Sequence, residues 1–170
     1  MGHQSSRFTP LNIAILTVSD TRDEASDTSG QLLKALATEA GHQVIEKRIV
    51  KDDIYAIRLA ASEWIYSESV QAIISTGGTG FTSRDSTPEA LTPLFDKTIE
   101  GFGELFRNLS YSEIGTSTIQ SRAVAGLANK TIIFAVPGSR NACQTAFDKI
   151  IKEQLDSRHS PCNFVGQLER

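Results

Sequence analysis

Apolar positions along the chain alternate between two periods. Asn12-Ile13-Ala14-Ile15-Leu16-Thr17-Val18 is short, β-branched and almost wholly apolar, the pattern of a strand covered on both faces. A polar stretch from Asp20 to Thr28 follows, and then Leu32, Leu33, Leu36, Ala37 and Ala40 recur at helical spacing, with Gly41 where a helix ends. Val44 to Val50 predicts a second strand. Asp52 is positioned to cap a second helix whose apolar face is Ile54, Ile57, Ala61, Trp64 and Ile65. Val70 to Ser75 reads as a third strand that runs straight into Thr76-Gly77-Gly78-Thr79-Gly80. Thr87 followed by Pro88 reads as a helix cap with proline at the first helical position, and a helix is expected from Pro88 toward Phe95. The stretch from Phe102 to Leu127 reads as helical in pieces, punctuated by Gly115 and Gly126. Thr131 to Val136 is a fourth buried strand, ended by Pro137-Gly138-Ser139, and the last helix carries Ala142, Ala146, Phe147, Ile150, Ile151 and Leu155. Apolar strands alternating with helices predict an α/β fold: three layers, doubly wound, with a mainly parallel sheet and helices on both faces.

Composition narrows the class. The chain has 170 residues, with 17 Lys and Arg against 20 Asp and Glu, which fits one domain with a full core, expected over residues 10–170 after a flexible tail over 1–9. With 39% hydrophobic and 22% charged residues, a disordered or collagen-like chain is excluded. No apolar run approaches the ~18–20 residues that cross a bilayer, and there is no basic stripe of the kind nucleic-acid binders carry. Neither membrane nor nucleic acid is therefore an expected partner, and the expected location is cytoplasmic. Met1-Gly2 with Ser6 matches the short acylation pattern, but no polybasic second signal follows, so the opening residues read as a polar tail. His3, His42 and His159 are too scattered for a three-histidine metal site, and Cys143 and Cys162 fit neither a disulfide framework nor a CxxC site.

Candidate chemistry gathers where parallel sheets bind ligands, outside the carboxyl ends of the strands. Loops there begin at Ser19-Asp20, at Lys51-Asp52-Asp53, at Thr76 to Asp85 and at Pro137-Gly138-Ser139. Three glycines within Thr76–Gly80 allow backbone N–H groups to turn toward an anion, and Thr76 and Thr79 add hydroxyls. The motif is neither a dinucleotide fingerprint nor a P-loop, so it predicts an anion cradle of another kind. Pro137-Gly138-Ser139 reads equally as a bend before a helix capped by Ser139 or Asn141. Asp52 and Asp85 are the carboxylates placed to hold Mg²⁺ against phosphate oxygens. Taken singly, Asp52 is a helix cap, Asp27 a turn former and Asp20 a solvated strand end. Ser121-Arg122 binds an anion or, the reading slightly favoured, Arg122 pairs with a surface carboxylate. Cys143 falls among helical core positions.

On these residues the chain resembles the MoaB/Mog molybdopterin-binding family, nearer its B branch. The carriers are Ile13 to Ser19, Asp27-Thr28-Ser29-Gly30, Thr76-Gly77-Gly78-Thr79-Gly80, Asp85-Ser86-Thr87-Pro88-Glu89-Ala90, Gly101-Phe102-Gly103-Glu104, Ser121-Arg122-Ala123 and Pro137-Gly138-Ser139, spread from about Pro10 to Asn163. The resemblance implies a homo-oligomer, a trimer or dimer of trimers, that binds molybdopterin, a phosphorylated pterin with a dithiolene group. It further implies transfer of an adenylyl group from MgATP to the terminal phosphate, with release of pyrophosphate. Asp85 and the Thr76–Gly80 loop match the family's phosphate site, and Asp52 matches an acidic position linked to catalysis. Ser19, Asp20, Ser121, Pro137, Gly138 and Ser139 fall on segments around the same cleft. Lys51 departs from the pattern, standing where related adenylyltransferases often have proline. Two readings therefore stand: a molybdopterin adenylyltransferase, or a non-catalytic pterin-binding or assembly protein that works with others of the same pathway.

Overall fold

The computed structural model describes residues 5–170; Met1, Gly2 and His3, and with them the acylation pattern and the opening of the expected tail, lie outside the described residues. Residues 5–9 run beside the C-terminal segment, where the Ser5 N–H donates to the Ser157 carbonyl at 3.2 Å and the Thr9 N–H to the Ser157 hydroxyl at 2.9 Å.

Among the described residues the strands are β1 (Asn12–Val18), β2 (Gln43–Val50), β3 (Ala72–Thr76), β4 (Lys97–Thr98), β5 (Val124–Ala128) and β6 (Thr131–Val136). They form one sheet in the order β2-β1-β3-β6-β5-β4. The first four run parallel, and β5 and β4 are added antiparallel. The helices are α1 (Thr28–Glu39), α2 (Ile54–Tyr66), α3 (Thr87–Leu91), α4 (Glu100–Ile114), α5 (Arg140–Ala146) and α6 (Lys152–Gln154), with a π-helical turn, Phe147–Ile151, joining α5 to α6.

Strand alternation explains why the central strands read as unbroken apolar runs. Ile13, Ile15, Ile74, Ile132, Phe134 and Val136 face one layer, packed by Leu33 and Ala37 of α1, Phe102 and Phe106 of α4, and Cys143 and Ala146 of α5. Their neighbours Ala14, Leu16, Ile73, Ile133 and Ala135 face the other, packed by Ile57, Ala61 and Trp64 of α2 and by Ala90 and Leu91 of α3. Both faces are buried, so no polar face is needed. The three-layer, mainly parallel α/β architecture follows.

Two expectations are corrected. The stretch from Phe102 to Leu127 is not helical throughout: α4 ends at Gly115, whose φ is +60°, a 3-10 segment spans Gly115–Gln120, and Val124–Ala128 is a strand. A two-residue turn with Asn129 and Lys130 both at positive φ (48° and 61°) folds β5 back on β6, as tight hairpins require. The helix expected from Pro88 toward Phe95 stops at Leu91 and continues only as a 3-10 turn, Thr92–Leu94.

A buried ion pair ties α1 to the sheet. Asp27 caps α1 by accepting from the Gly30 N–H at 3.0 Å, and it also takes the Thr17 hydroxyl at 2.7 Å and Lys47 Nζ at 2.7 Å. Asp27 is 1% exposed, so the residue expected as a turn former is a buried, fully engaged carboxylate. Burial pushes its carboxyl up, but the bonds from Lys47, Thr17 and Gly30 outweigh it and hold the group below the ordinary carboxylate value. The folded chain therefore keeps Asp27 ionised at pH values where the unfolded chain takes up a proton. That contribution to stability is complete above pH ~4 and is lost as the pH falls through the lower folded value. Asp27→Asn is expected to cost about 3 kcal/mol at pH 7, because it leaves a buried lysine without its main partner. Urea midpoints at pH 7 and pH 3 should show the wild-type protein losing more stability on acidification than the variant.

Candidate functional site

Strand order reverses beside β1: the chain leaves β1 for β2 on one side and leaves β3 for β6 on the other. Such a switch point opens a crevice at the carboxyl ends of the strands. Here it brings together the loops after β1, β3 and β6. Gly77 has φ +99°, and a Cβ placed on it would stand 2.3 Å from the Val18 carbonyl oxygen; Gly78 has φ +69°, and its Cβ would stand 2.3 Å from the Thr87 hydroxyl. Only glycine fits either position. The Gly77 N–H donates to the Val136 carbonyl at 3.0 Å, joining β3's exit to that of β6. The N–H groups of Gly78 and Thr79 have no protein acceptor among the described residues. A concave run of free amide donors is the physical requirement for holding an anion.

Both predicted carboxylates abut this loop, on different neighbours. The Asp85 carboxylate accepts from the Thr82 N–H at 2.8 Å and the Thr82 hydroxyl at 2.7 Å. Burial raises its pKa, but the Thr82 and Gly80 donors and the charge of Arg122 prevail and keep it below the ordinary range. Asp52 accepts from the Ser86 N–H at 2.9 Å and the Ser86 hydroxyl at 2.5 Å. It is not the cap of α2, as expected; that role falls to Asp53, which accepts from Tyr55 and Ala56 at 3.0 and 2.9 Å. Thr87 is likewise not a cap. It is the first residue of α3, Pro88 is the second, and Thr87's hydroxyl donates to the Gly77 carbonyl at 2.8 Å. Asp20 pairs with Arg84 at 2.7 Å, and this contact holds its carboxyl below the usual range.

A cleft of about 410 Å³ opens over the loop. One wall is Gly77, Gly78, Thr79, Gly80, Asp85 and Ser121, with Pro137, Gly138 and Ser139 beside them; the other is Phe106, Ser110, Ile114, Ser117, Gln120 and Ala142. A second, polar recess of about 120 Å³ lies against β1, lined by Thr17, Ser19, Arg22, Asp27, Ser29 and Thr76, and it meets the cleft at Gly77 and Gly138. Of the predicted residues, Asp20 and Asp52 line neither space. Ser139 caps α5 by accepting from Ala142 at 3.2 Å while also facing the cleft. Thr76 donates to the Pro137 carbonyl at 3.0 Å and touches Cys143, whose thiol burial pushes up to about 11, too high for a nucleophile at neutral pH. No group of three or more His, Cys, Asp or Glu stands ready to hold a metal ion among the described residues. The α4 wall was not singled out from the sequence. Phe106, Ser110 and Ile114 are spaced four apart, but that is equally the spacing of a helix packed on a core.

The fold and the crevice define a three-layer α/β protein with a glycine-lined cleft at the switch point of its sheet. Comparisons with known proteins agree. The family described as "Probable molybdopterin binding domain" matches residues 14–157. Molybdenum cofactor biosynthesis protein B of Escherichia coli K12 is 59% identical over 170 residues, covering all of both chains. The same-named protein of Staphylococcus epidermidis is 50% identical over 150 residues, 86% of this chain and 85% of its own. Among solved structures, a molybdenum cofactor biosynthesis protein B superposes with a TM-score of 0.84 at 46% identity, covering 86% of this chain and 92% of that one. A tungsten cofactor synthesizing protein MoaB from Pyrococcus furiosus gives 0.76 at 37%, covering 85% and 92%. The chain belongs to the MoaB/Mog molybdopterin-binding family of molybdenum cofactor biosynthesis proteins.

Gly77→Ala places a methyl group against the Val18 carbonyl at a left-handed backbone position. It should cost at least about 2 kcal/mol, lowering the melting temperature by about 4–8 °C for a chain of this size. At Gly101 a Cβ would meet nothing within 4 Å, so Gly101→Ala should raise stability by about 0.5 kcal/mol. Calorimetric melting of the two variants checks the contrast.

Proposed function

We propose that the protein binds molybdopterin by its terminal phosphate at the Gly77–Gly80 cradle and transfers to that phosphate the adenylyl group of ATP, releasing pyrophosphate. The observation that carries this reading is the pair of adjoining recesses that share Gly77 and Gly138. They offer two ligands neighbouring seats on one floor, and Gly78 and Thr79, whose amides have no protein acceptor among the described residues, line the larger of the two. The larger cleft suits a molecule that is anionic at one end and a flat ring at the other, because Gly78 and Thr79 line it together with the apolar side chains of Phe106 and Ile114.

The chemistry requires no protein nucleophile. An oxygen of the pterin phosphate forms a bond to the α-phosphorus of ATP, the bond from that phosphorus to the bridging oxygen breaks, and pyrophosphate leaves with the electron pair. The protein's part is alignment and charge neutralisation. The Gly78 and Thr79 amides and the hydroxyls of Ser121 and Ser139 hold phosphate oxygens. Magnesium on the polyphosphate would supply further charge neutralisation, and it needs only one or two carboxylates besides phosphate oxygens. Asp85, ionised and on the cleft wall, fits that need. Asp52 is the second carboxylate of this reading; bonded to Ser86, it sets the start of α3 from behind the loop.

A non-catalytic pterin carrier is the second reading, favoured by the position of Asp52 outside both recesses and by Lys51 beside it. Either role is placed in the cytoplasm, where free thiols such as Cys143 and Cys162 persist. A homo-oligomer, a trimer or dimer of trimers, is part of the proposal, supported by the exposed apolar side chains of Tyr111, Ile114 and Ile119. Other proteins of the cofactor pathway would deliver and collect the pterin.

Pyrophosphate release by purified protein with MgATP and molybdopterin tests the enzyme reading. Release should depend on molybdopterin and fall by about 10²-fold or more in Asp85→Ala, with pterin binding retained. Pterin binding without release in the wild-type protein would instead establish the carrier.

A further inference from the structure

The amides of Gly78 and Thr79, which have no protein acceptor among the described residues, belong to two successive peptides, and one residue holds the carbonyls of both. The Thr87 hydroxyl donates to the Gly77 carbonyl at 2.8 Å, and the Thr87 N–H donates to the Gly78 carbonyl at 3.0 Å. No other donor reaches either carbonyl among the described residues. In a planar trans peptide the C=O and the N–H of the next residue point in opposite directions. Drawing the Gly77 carbonyl toward Thr87 therefore turns the Gly78 N–H away from it, and drawing the Gly78 carbonyl does the same for the Thr79 N–H. Thr87 is fully buried and lines neither recess, whereas Gly78 and Thr79 line the cleft.

Local structure delivers Thr87 to this place. As the first residue of α3 it carries an N–H with no acceptor inside the helix, which leaves that donor for the Gly78 carbonyl. Asp52 secures the residue before it, accepting from the Ser86 N–H and hydroxyl, and Pro88 stiffens the chain just after it. Gly78 completes the fit. A Cβ there would stand 2.3 Å from the Thr87 hydroxyl oxygen, so the closeness that bars a side chain at Gly78 is what lets the hydroxyl reach the loop. We infer that Thr87 is a positioning residue, which aims the Gly78 and Thr79 amides at a bound phosphate by holding the two carbonyls behind them. This inference rests on the proposed phosphate seat at Gly77–Gly80. Its two bonds act separately: the hydroxyl governs the Gly78 amide, and the Thr87 main chain governs that of Thr79.

The test is calorimetric binding of inorganic pyrophosphate to the full chain and to Thr87→Val, Thr87→Ser and Thr131→Val, with melting temperatures measured on the same samples. Thr131 is the matched control. It is equally buried, and its hydroxyl donates to the Val70 carbonyl at 2.9 Å, at the edge of the sheet where β6 begins rather than ends. Both valine variants lose a buried hydroxyl-to-carbonyl bond and should melt lower than the wild-type protein. Only Thr87→Val should lose affinity, by about tenfold, and Thr87→Ser, which keeps the hydroxyl, should bind within about twofold of wild type. Without ligand, the NMR order parameter of the Gly78 amide should fall in Thr87→Val and hold in the other two variants. Wild-type affinity in Thr87→Val overturns the inference and leaves the phosphate seat standing. Equal loss of affinity in Thr131→Val overturns it by showing a general effect of stability, and loss in Thr87→Ser as large as in Thr87→Val overturns it by removing the hydroxyl as the cause. No pyrophosphate binding by the wild-type chain removes the seat and the inference together.

Discussion

The carboxyl edge of the sheet is organised around a contact that no side chain makes, the main chain of Gly77 lying against the Val18 carbonyl. Because nothing larger than hydrogen fits between them, the exits of β1 and β3 run in direct contact. The recess against β1 and the cleft over the loop therefore share a floor. The Gly77 N–H extends the same junction to β6 through Val136. Three parallel strands thus end on one continuous backbone surface, and the direction taken by Gly78, Thr79 and Gly80 is set before any ligand arrives.

Behind that surface, side chains do most of their work on the main chain. Asp52 holds Ser86, Thr87 holds Gly77 and Gly78, and Asp85 takes its bonds from Thr82. The buried Asp27–Lys47 pair does the same for the start of α1, which forms one side of the smaller recess. A site made from amide donors needs this arrangement, since an amide is aimed only by fixing the peptide that carries it.

What the sequence disclosed follows from burial. The strands β1, β2, β3 and β6 were legible because the central ones are covered on both faces and must be apolar at every position. The glycine loop was legible as a sharp strand exit, because Gly77 and Gly78 take the positive φ that such a turn requires. Strand β5 was not, since Val124-Ala125-Gly126-Leu127-Ala128 is built of small residues and its hairpin turn is Asn129-Lys130, without the glycine that usually marks one. The adjacent Asp52 and Asp53 could not be told apart locally, because either can cap α2. Ser86, more than thirty residues away, takes Asp52 and leaves the cap to Asp53. The apolar wall of α4 escaped notice because its spacing is also that of ordinary core packing.

The hairpin between β5 and β6 has a consequence for how the site is composed. A strand antiparallel to its neighbours begins where they end, so the residues entering β5 arrive at the carboxyl edge, and Ser121 reaches a cleft whose strand-end lining otherwise comes from the loops leaving the parallel strands β3 and β6. The 3-10 segment Gly115–Gln120, which leads into β5, hangs over the cleft from that same entry and makes no part of the sheet. The crevice is thereby divided into a backbone floor fixed to the sheet and a separately hung cover. Change in the length or side chains of the cover would reshape the space above the floor, with the floor left as it is.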